Sequence, residues 1–362
     1  QRLAEQHKTD GRTDPQFLML LAIAYDNAGR TEQAEACLEQ AADHLKLLRE
    51  SGDTTLAGEA GNAIYVVRLG GLFDALGQYD RARKLYADAV ELEEQPAPAL
   101  RRMLALRRWQ AGEIERALAG LEDVDITSTV GDPALLGTKA MLLLEAGQQE
   151  PGKQAVATLE SIATEARDDV ARERTALAWS EALRATYLAT DGETAMPVPQ
   201  RIALLTDALG RVSGDTMRDG AAVLAAPQGV FLNWIGDIFA SVGETELAVR
   251  QWQAAGQAMP GWFVPWHSMA EAQLVAGQLY EAQASAREAA LRATGEQTDT
   301  AIELLTTIAY RRWLDAPSAA EADYAAASAA RHQRLQPLAE STLPIHVHFT
   351  ALSDPDAARR LT

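Results

Sequence analysis

The sequence predicts an all-α protein built as an array of antiparallel helix pairs, and three observations carry that prediction. First, helix-period segments recur along the 362 residues, each broken by a glycine in a similar setting. The settings are DNAGRTEQA, DALGQYDRA, WQAGEIERA, SVGETELA and LVAGQLYEA, around Gly29, Gly77, Gly112, Gly243 and Gly277. Second, with Gly147 included, the intervals are 48, 35, 35, 96 and 34 residues, and three of them match the period of a stacked helix pair. Third, small residues flank the glycines at fixed offsets. Ala22, Gly70, Ala105, Gly236 and Ala270 stand seven before, and Ala34, Ala82, Ala117, Ala248 and Ala282 five after. A glycine closes a helix by taking the left-handed conformation. Small residues at these offsets thin both helices where they meet.

Composition agrees. The chain is 47% hydrophobic and 23% charged, a folded composition, and its abundant alanine with only 6% aromatics favours helix. With 33 Lys+Arg against 51 Asp+Glu the net charge is -18, which argues against nucleic-acid binding, since that needs a basic surface. The one cysteine, Cys37, excludes an internal disulfide framework and reads as a buried, inert thiol on a second helix. No apolar run reaches the ~18–20 residues of a membrane span.

In order along the chain, residues 1–14 read as a polar lead-in and 15–166 as the first block of repeats. The 48-residue interval predicts a long second helix through AADHLKLLRESG, with an extra turn at Ser51–Thr55. The unit at Gly147 reads with three extra residues before its alanine, Ala155. Residues 167–228 read as degenerate pairs, with helices near 171–189 and 200–212 and loops at 191–199 and 213–228. Residues 229–335 form a second block of repeats, closing on a pair made by TAIELLTTIAYRRWL and AAEADYAAASAARHQRL. From 336 to 362 the prolines predict a short irregular or extended tail. Within it, His346 and His348 would share one face of a strand, but only Asp354 or Asp356 could add a third ligand. Packing or exposure is the better reading, and no metal site is expected.

These units resemble tetratricopeptide repeats. The unit at 229–260 is the fullest, with Ile235, Gly236, Phe239, Gly243, Ala248, Trp252, Ala255 and Pro260 at the family's spacing. The unit at 63–94 offers Leu69, Gly70, Phe73, Gly77, Ala82, Tyr86 and Ala89, and the first unit Leu21, Ala22, Tyr25, Gly29, Ala34, Leu38 and Ala41. The third departs most, with Arg108 where a buried aromatic is usual. The resemblance implies a right-handed α-solenoid whose concave groove, lined by the first helix of each pair, binds peptides or protein segments. Groove positions here are Asn27, Asp74, Arg102, Trp109, Asn233, Asp237, His267 and Glu271. Met19, Ile23 and Val67 occupy the positions of the family's carboxylate clamp, so recognition of chaperone tails is not expected.

Within that groove, Arg102 and Trp109 lie seven apart on one helix side, and a guanidinium beside an indole suits a binding hot spot. The alternative is that the arginines of PALRRMLALRRWQ pair with acids of adjacent repeats. Trp262 and Trp266, in MPGWFVPWH, either wedge two units together or present exposed apolar anchors. No phosphate loop, dinucleotide fingerprint, zinc-protease motif or nucleophile elbow is present, so no catalytic residue and no cofactor is expected. The expected role is a non-catalytic scaffold for a protein or peptide partner, as a subunit of a larger assembly. The alternative is the sensor or regulatory segment of a larger signalling protein. The start at Gln1 suggests a processed chain or a piece of one, and with the composition it points to the bacterial periplasm or cell surface.

Overall fold

Six turn glycines organise the chain. In the computed structural model, Gly29, Gly77, Gly112, Gly147, Gly243 and Gly277 all have φ between 68 and 81°. After each of them the next backbone N–H reaches back five residues, as from Arg30 to the Tyr25 carbonyl (2.9 Å) and from Gln78 to that of Phe73 (2.8 Å). This double closure satisfies carbonyls that the helix end leaves open, and only glycine adopts it without strain.

The structure describes residues 15–50, 58–91, 96–166, 168–188, 195–213 and 221–315, and among these there are helices and turns but no strand. The first pair is α1 (Pro15–Asn27) and α2 (Thr31–Glu50), the second α3 (Gly58–Ala75) and α4 (Tyr79–Glu91). The third is α5 (Pro98–Gln110) and the short α6 (Ile114–Ala119), the fourth α7 (Pro133–Glu145) and α8 (Gln149–Glu165). Next come α9 (Val170–Leu183), continued by a π-helical turn at Arg184–Leu188, and α10 (Val198–Ser213). The series ends with α11 (Ala221–Ser241), α12 (Thr245–Ala258), α13 (Phe263–Val275), α14 (Leu279–Arg292) and α15 (Glu296–Asp315). This is an all-α solenoid of helix pairs, and the long α2 accounts for the 48-residue interval.

The chain forms two compact units, residues 1–265 and 266–362, which cut across the expected 229–335 block. In the first, one continuous core runs from Leu18 to Trp262. In the second, Ala270, Leu274, Ala282, Ala286, Leu304 and Ile308 form a small core of their own. There the buried Gln273 side chain turns its nitrogen to the Ser285 hydroxyl and the Glu281 and Met269 carbonyls.

Within the pairs, side-chain volumes compensate. The residue seven before the turn glycine and the one nine after it share the helix contact. A β-carbon on Gly70 would lie 2.2 Å from the Tyr86 hydroxyl, and one on Gly236 would lie 2.6 Å from the Trp252 indole. Where the first position is alanine, as at Ala22 and Ala105, the second is the smaller Leu38 or Leu121, all four buried. Ala248, five after its glycine, is fully buried. Ala248→Leu should therefore lower stability by roughly 1–3 kcal/mol through overpacking. A urea midpoint unmoved from wild type would put the repeat register in error.

Three expectations need correction. The unit at Gly147 has no insertion: Gly152, buried five residues on, takes the small-residue place, since its missing side chain admits Leu144. The stretch 213–228 is not all loop, because α11 begins at Ala221 and carries Pro227 inside it. Alanine-rich AAVLAA favours helix strongly enough to offset the interior proline. The helix near 171–189 ends at Leu183 in a π-helical turn, where the wider winding redirects the side chains that follow. The extra turn at Ser51–Thr55, the last expected helix after 315 and the tail with His346 and His348 lie outside the described residues.

Arg108, where an aromatic was expected, is half-buried and donates to the Arg116 carbonyl (3.1 Å), replacing ring packing with a hydrogen bond. The long connection after α6 is tied down similarly, with Lys139 Nζ donating to the carbonyls of Leu121 and Val124, each at 2.8 Å. Asp132 then caps α7 by accepting from the Leu135 N–H (2.8 Å), with Pro133 at the first helical position.

Candidate functional site: an acid–aromatic inner surface

The first unit brings its own chain onto part of the expected groove. Helix α11 packs on α3 and α5 as well as on its neighbours α10 and α12. The turn after α12 lays Trp262 against Trp109, ring centroids 4.8 Å apart. At Gly261 the turn crosses Tyr79 so closely that a β-carbon would lie 2.7 Å from the ring. Trp262 is consequently 2% exposed and Trp109 8%. Trp262 is therefore no exposed anchor; it packs on a ring of the third pair, which neither reading of it had foreseen.

The guanidinium–indole patch expected of Arg102 and Trp109 is likewise not on the surface. Arg102 is buried, and burial pulls its pKa down against the field of Asp132. The other arginines of that helix are engaged: Arg101 with Asp123, and Arg107 with Asp74 and with Gln110 Oε1 (2.6 Å). Asp74, a predicted groove residue, is 2% exposed, and one of its oxygens meets no donor. Burial pushes its carboxyl up to about 6 even though Arg107 pulls the other way.

Inside the first unit runs a chain of rings, Trp179, Phe231 and Trp234 all buried, that leads to two carboxylates. Trp179 meets Phe231 edge-on at 5.3 Å, Phe231 stacks on Trp234 at 5.7 Å, and Trp234 meets Tyr187 edge-on at 5.5 Å. The Tyr187 hydroxyl, delivered by the π-helical turn, donates to Glu145 Oε1 (2.7 Å). Trp109 Nε1, on α5, donates to Glu145 Oε2. A second carboxylate, Asp237 on α11, accepts from Trp252 Nε1 (2.8 Å) and from Asn233 Nδ2 (2.9 Å). Every donor to these two acids is neutral. Among the described residues, no lysine, arginine or histidine is paired with either.

Their electrostatics follow from that arrangement. Burial raises the Glu145 pKa, while the Tyr187 and Trp109 hydrogen bonds lower it. Asp237 is exposed to water, yet the protein around its carboxyl is dense enough to desolvate it in part. Burial is the main cause that brings its carboxyl to about 6; the Trp252 indole opposes this and the charge of Glu145 adds to it. Tyr187 is raised in turn by burial and by both acids. Among the described residues the arrangement brings two acids together without a counter-charge, each held by aromatic N–H or O–H donors.

The remaining predicted positions fall elsewhere. Asn27 is exposed at the end of α1. In the second unit, His267 Nδ1 lies 3.5 Å from Glu271 Oε2, and burial lowers the imidazole pKa against the pull of that carboxylate. Trp266, also in that unit, is half-buried with the Arg292 guanidinium 4.7 Å from its ring centre, so it too is no exposed anchor. The described residues contain no group of three or more His, Cys, Asp or Glu that could hold a metal ion, and no helix long and apolar enough to cross a membrane.

Residues that sequence reasoning missed are Glu145, Tyr187 and Trp234. Glu145 had a usable signal: it stands two before Gly147, as Asn27 stands two before Gly29. Three apparent extra residues before Ala155 hide the register of that unit, and with it the groove position of Glu145. Tyr187 had none, because a π-helical turn leaves no mark in the hydrophobic period.

Comparison with known proteins follows the same repeats. A family model described as tetratricopeptide repeat matches residues 15–43 and 65–96. No curated protein is significantly similar in sequence. Among solved structures, a tetratricopeptide repeat protein from Parabacteroides merdae is 14% identical, with a TM-score of 0.39, covering 81% of this chain and 98% of its own. A STAND-class signal transduction ATPase with a tetratricopeptide repeat sensor, from Pyrococcus horikoshii, is 13% identical with a TM-score of 0.44. That match covers 89% of this chain and 51% of the ATPase, so the chain spans about half its length. The C-terminal part of a repeat protein from Cytophaga hutchinsonii is 14% identical, with a TM-score of 0.34, covering 70% and 90%. The family model thus falls on the first two pairs, and the same glycine-closed turn recurs at four further positions, so the chain carries tetratricopeptide repeats in an all-α array of helix pairs.

Proposed function

We propose that the protein is a non-catalytic scaffold that docks a protein segment on the inner surface of its first unit. Tetratricopeptide repeats form protein-interaction modules, which supports the general role. The observation that carries the proposal is Asp237. It stands at a groove position of the fullest repeat, is reached by water, and is held by Trp252 and Asn233 rather than by an ion pair. Such a group is fixed in place with its charge still available to a partner. The half-buried ring of Tyr187 adds rigid apolar area, the other ingredient of a hot spot, and the buried Trp234 holds it edge-on.

Affinity purification from the native source tests this, with wild type and Asp237→Arg compared side by side. A partner held by wild type should be depleted by at least about tenfold in the variant, the scale of one lost hot-spot contact. Equal recovery from both would remove the inner surface as the docking site.

A further inference from the structure

The chemistry of this surface narrows the class of partner. We propose that the docked segment is basic, and that one of its lysine or arginine side chains enters the acid–aromatic site at Glu145 and Asp237. This rests on the docking role above and goes beyond it.

Four observations converge. The two carboxylates lie on different helices, α7 and α11, and Tyr187 bridges them: its hydroxyl donates to Glu145 and its ring meets Trp234, three residues before Asp237. Among the described residues each is hydrogen-bonded by neutral groups only, so none of these cancels their repulsion. Asn233 supplies the second kind of evidence. It is 3% exposed, its Nδ2 is turned to Asp237, and its carbonyl oxygen meets no donor. A buried amide oxygen without a donor is costly, and here it belongs to the amide that holds Asp237, an acid that also attracts N–H groups. Finally, the half-buried Tyr187 ring stands beside Glu145, and a cation gains from a ring face as well as from carboxylates.

An acidic segment, the partner that a surface Arg102 would have selected, fits poorly. Arg102 is buried and Arg107 is engaged with Asp74. An incoming carboxylate would meet two like charges. The net charge of -18 acts in the same sense at longer range, attracting basic segments and repelling acidic ones.

The test uses fluorescein-labelled peptides of alternating lysine and serine, and of alternating glutamate and serine, titrated with the full chain and read by fluorescence anisotropy. The wild type should bind the lysine peptide and not the glutamate peptide. Glu145→Gln with Asp237→Asn should weaken the lysine peptide by at least about tenfold, the loss expected for charge pairs removed from a recessed site. A control pair with the same charge change, Glu32→Gln with Glu115→Gln on exposed first turns, should shift affinity by less than about twofold, since solvent screens such charges. The amide replacements keep an oxygen acceptor for Trp109, Tyr187 and Trp252, which favours a folded variant. If the double variant melts early, Asp237→Asn alone, at the water-reached acid, serves in its place.

Equal weakening by both variant pairs would reduce the effect to bulk charge and overturn the proposal. So would an undiminished affinity, a preference for the glutamate peptide, or no binding of either. The docking role is judged separately. A native partner lost from Asp237→Arg but binding through an acidic segment keeps the docking role and rejects the basic one.

Discussion

Asp74→Ala should lower stability by about 3–5 kcal/mol, among the largest single losses available in the first unit. The substitution leaves the Arg107 guanidinium, only 12% exposed, beside a pocket that no longer carries an opposite charge. Breaking one side of a buried ion pair costs that much because the surviving charge keeps its desolvation penalty. Replacing both partners, as in Asp74→Leu with Arg107→Met, should recover most of the loss, since neither desolvated charge then remains. Denaturant midpoints of the three variants check this. A double variant as unstable as Asp74→Ala would show that the pair is not the source.

The same pair gives a pH signature with a definite sign. Asp74 sits at about 6 in the folded chain against an ordinary 3.8, so the folded chain holds the proton more tightly. Its contribution therefore favours the folded state at low pH and declines as pH rises from about 4 to about 6. Arg107→Met removes the charge and hydrogen bond that pull the Asp74 pKa down, and the decline should then continue to higher pH. The destabilisation caused by Arg107→Met should thus be larger at about pH 7.5 than at about pH 5. A loss independent of pH would mean that Asp74 does not titrate with folding.

How far the sequence could carry this reading depends on the kind of contact. The helix pairs were legible because their determinants are local. A glycine at the turn, a small residue seven before and another five after are all within one repeat. The aromatic at Tyr86 or Trp252 facing Gly70 or Gly236 follows the same short-range logic. The inner surface was not legible in that way. Whether Trp109 is exposed depends on Trp262, 153 positions further along, and on α11 packing against α3 and α5. A repeat register names the side of a helix that faces the groove; it carries no information on what the rest of the chain lays over it. The buried state of Arg102 has the same origin. Glu145 was within reach, since the register reaches it once Gly152 is accepted as the small residue of its unit. Tyr187 was not, since its direction is set by a π-helical turn.

Trp179→Ala should cost about 3–5 kcal/mol, the range for removing a fully buried large aromatic. Trp179 is the ring against which Gly137 on α7 closes, and it continues edge-on to Phe231 on α11, so three helices meet at it. A β-carbon at Gly137 would stand 2.3 Å from the Trp179 ring, far inside contact distance. Gly137→Leu should accordingly reach or exceed the ~1–3 kcal/mol usual for overpacking, because the indole has no exposed side toward which to move. The informative variant combines them. With the indole gone, a leucine at 137 grows into the space it filled, and each change offsets part of the other. The double variant should be more stable than the sum of the single losses predicts, by roughly 0.5–3 kcal/mol, the coupling expected of side chains in direct contact. Trp179→Phe offers a second check, since the indole N–H it deletes is buried without an acceptor. It should cost clearly less than Trp179→Ala. Far-UV circular dichroism in urea measures all four variants, avoiding a fluorescence signal that loses a tryptophan. Losses that simply add would show that Gly137 and Trp179 do not share this contact, and would remove the hinge point between α7, α9 and α11 on which the position of Tyr187 and Glu145 depends.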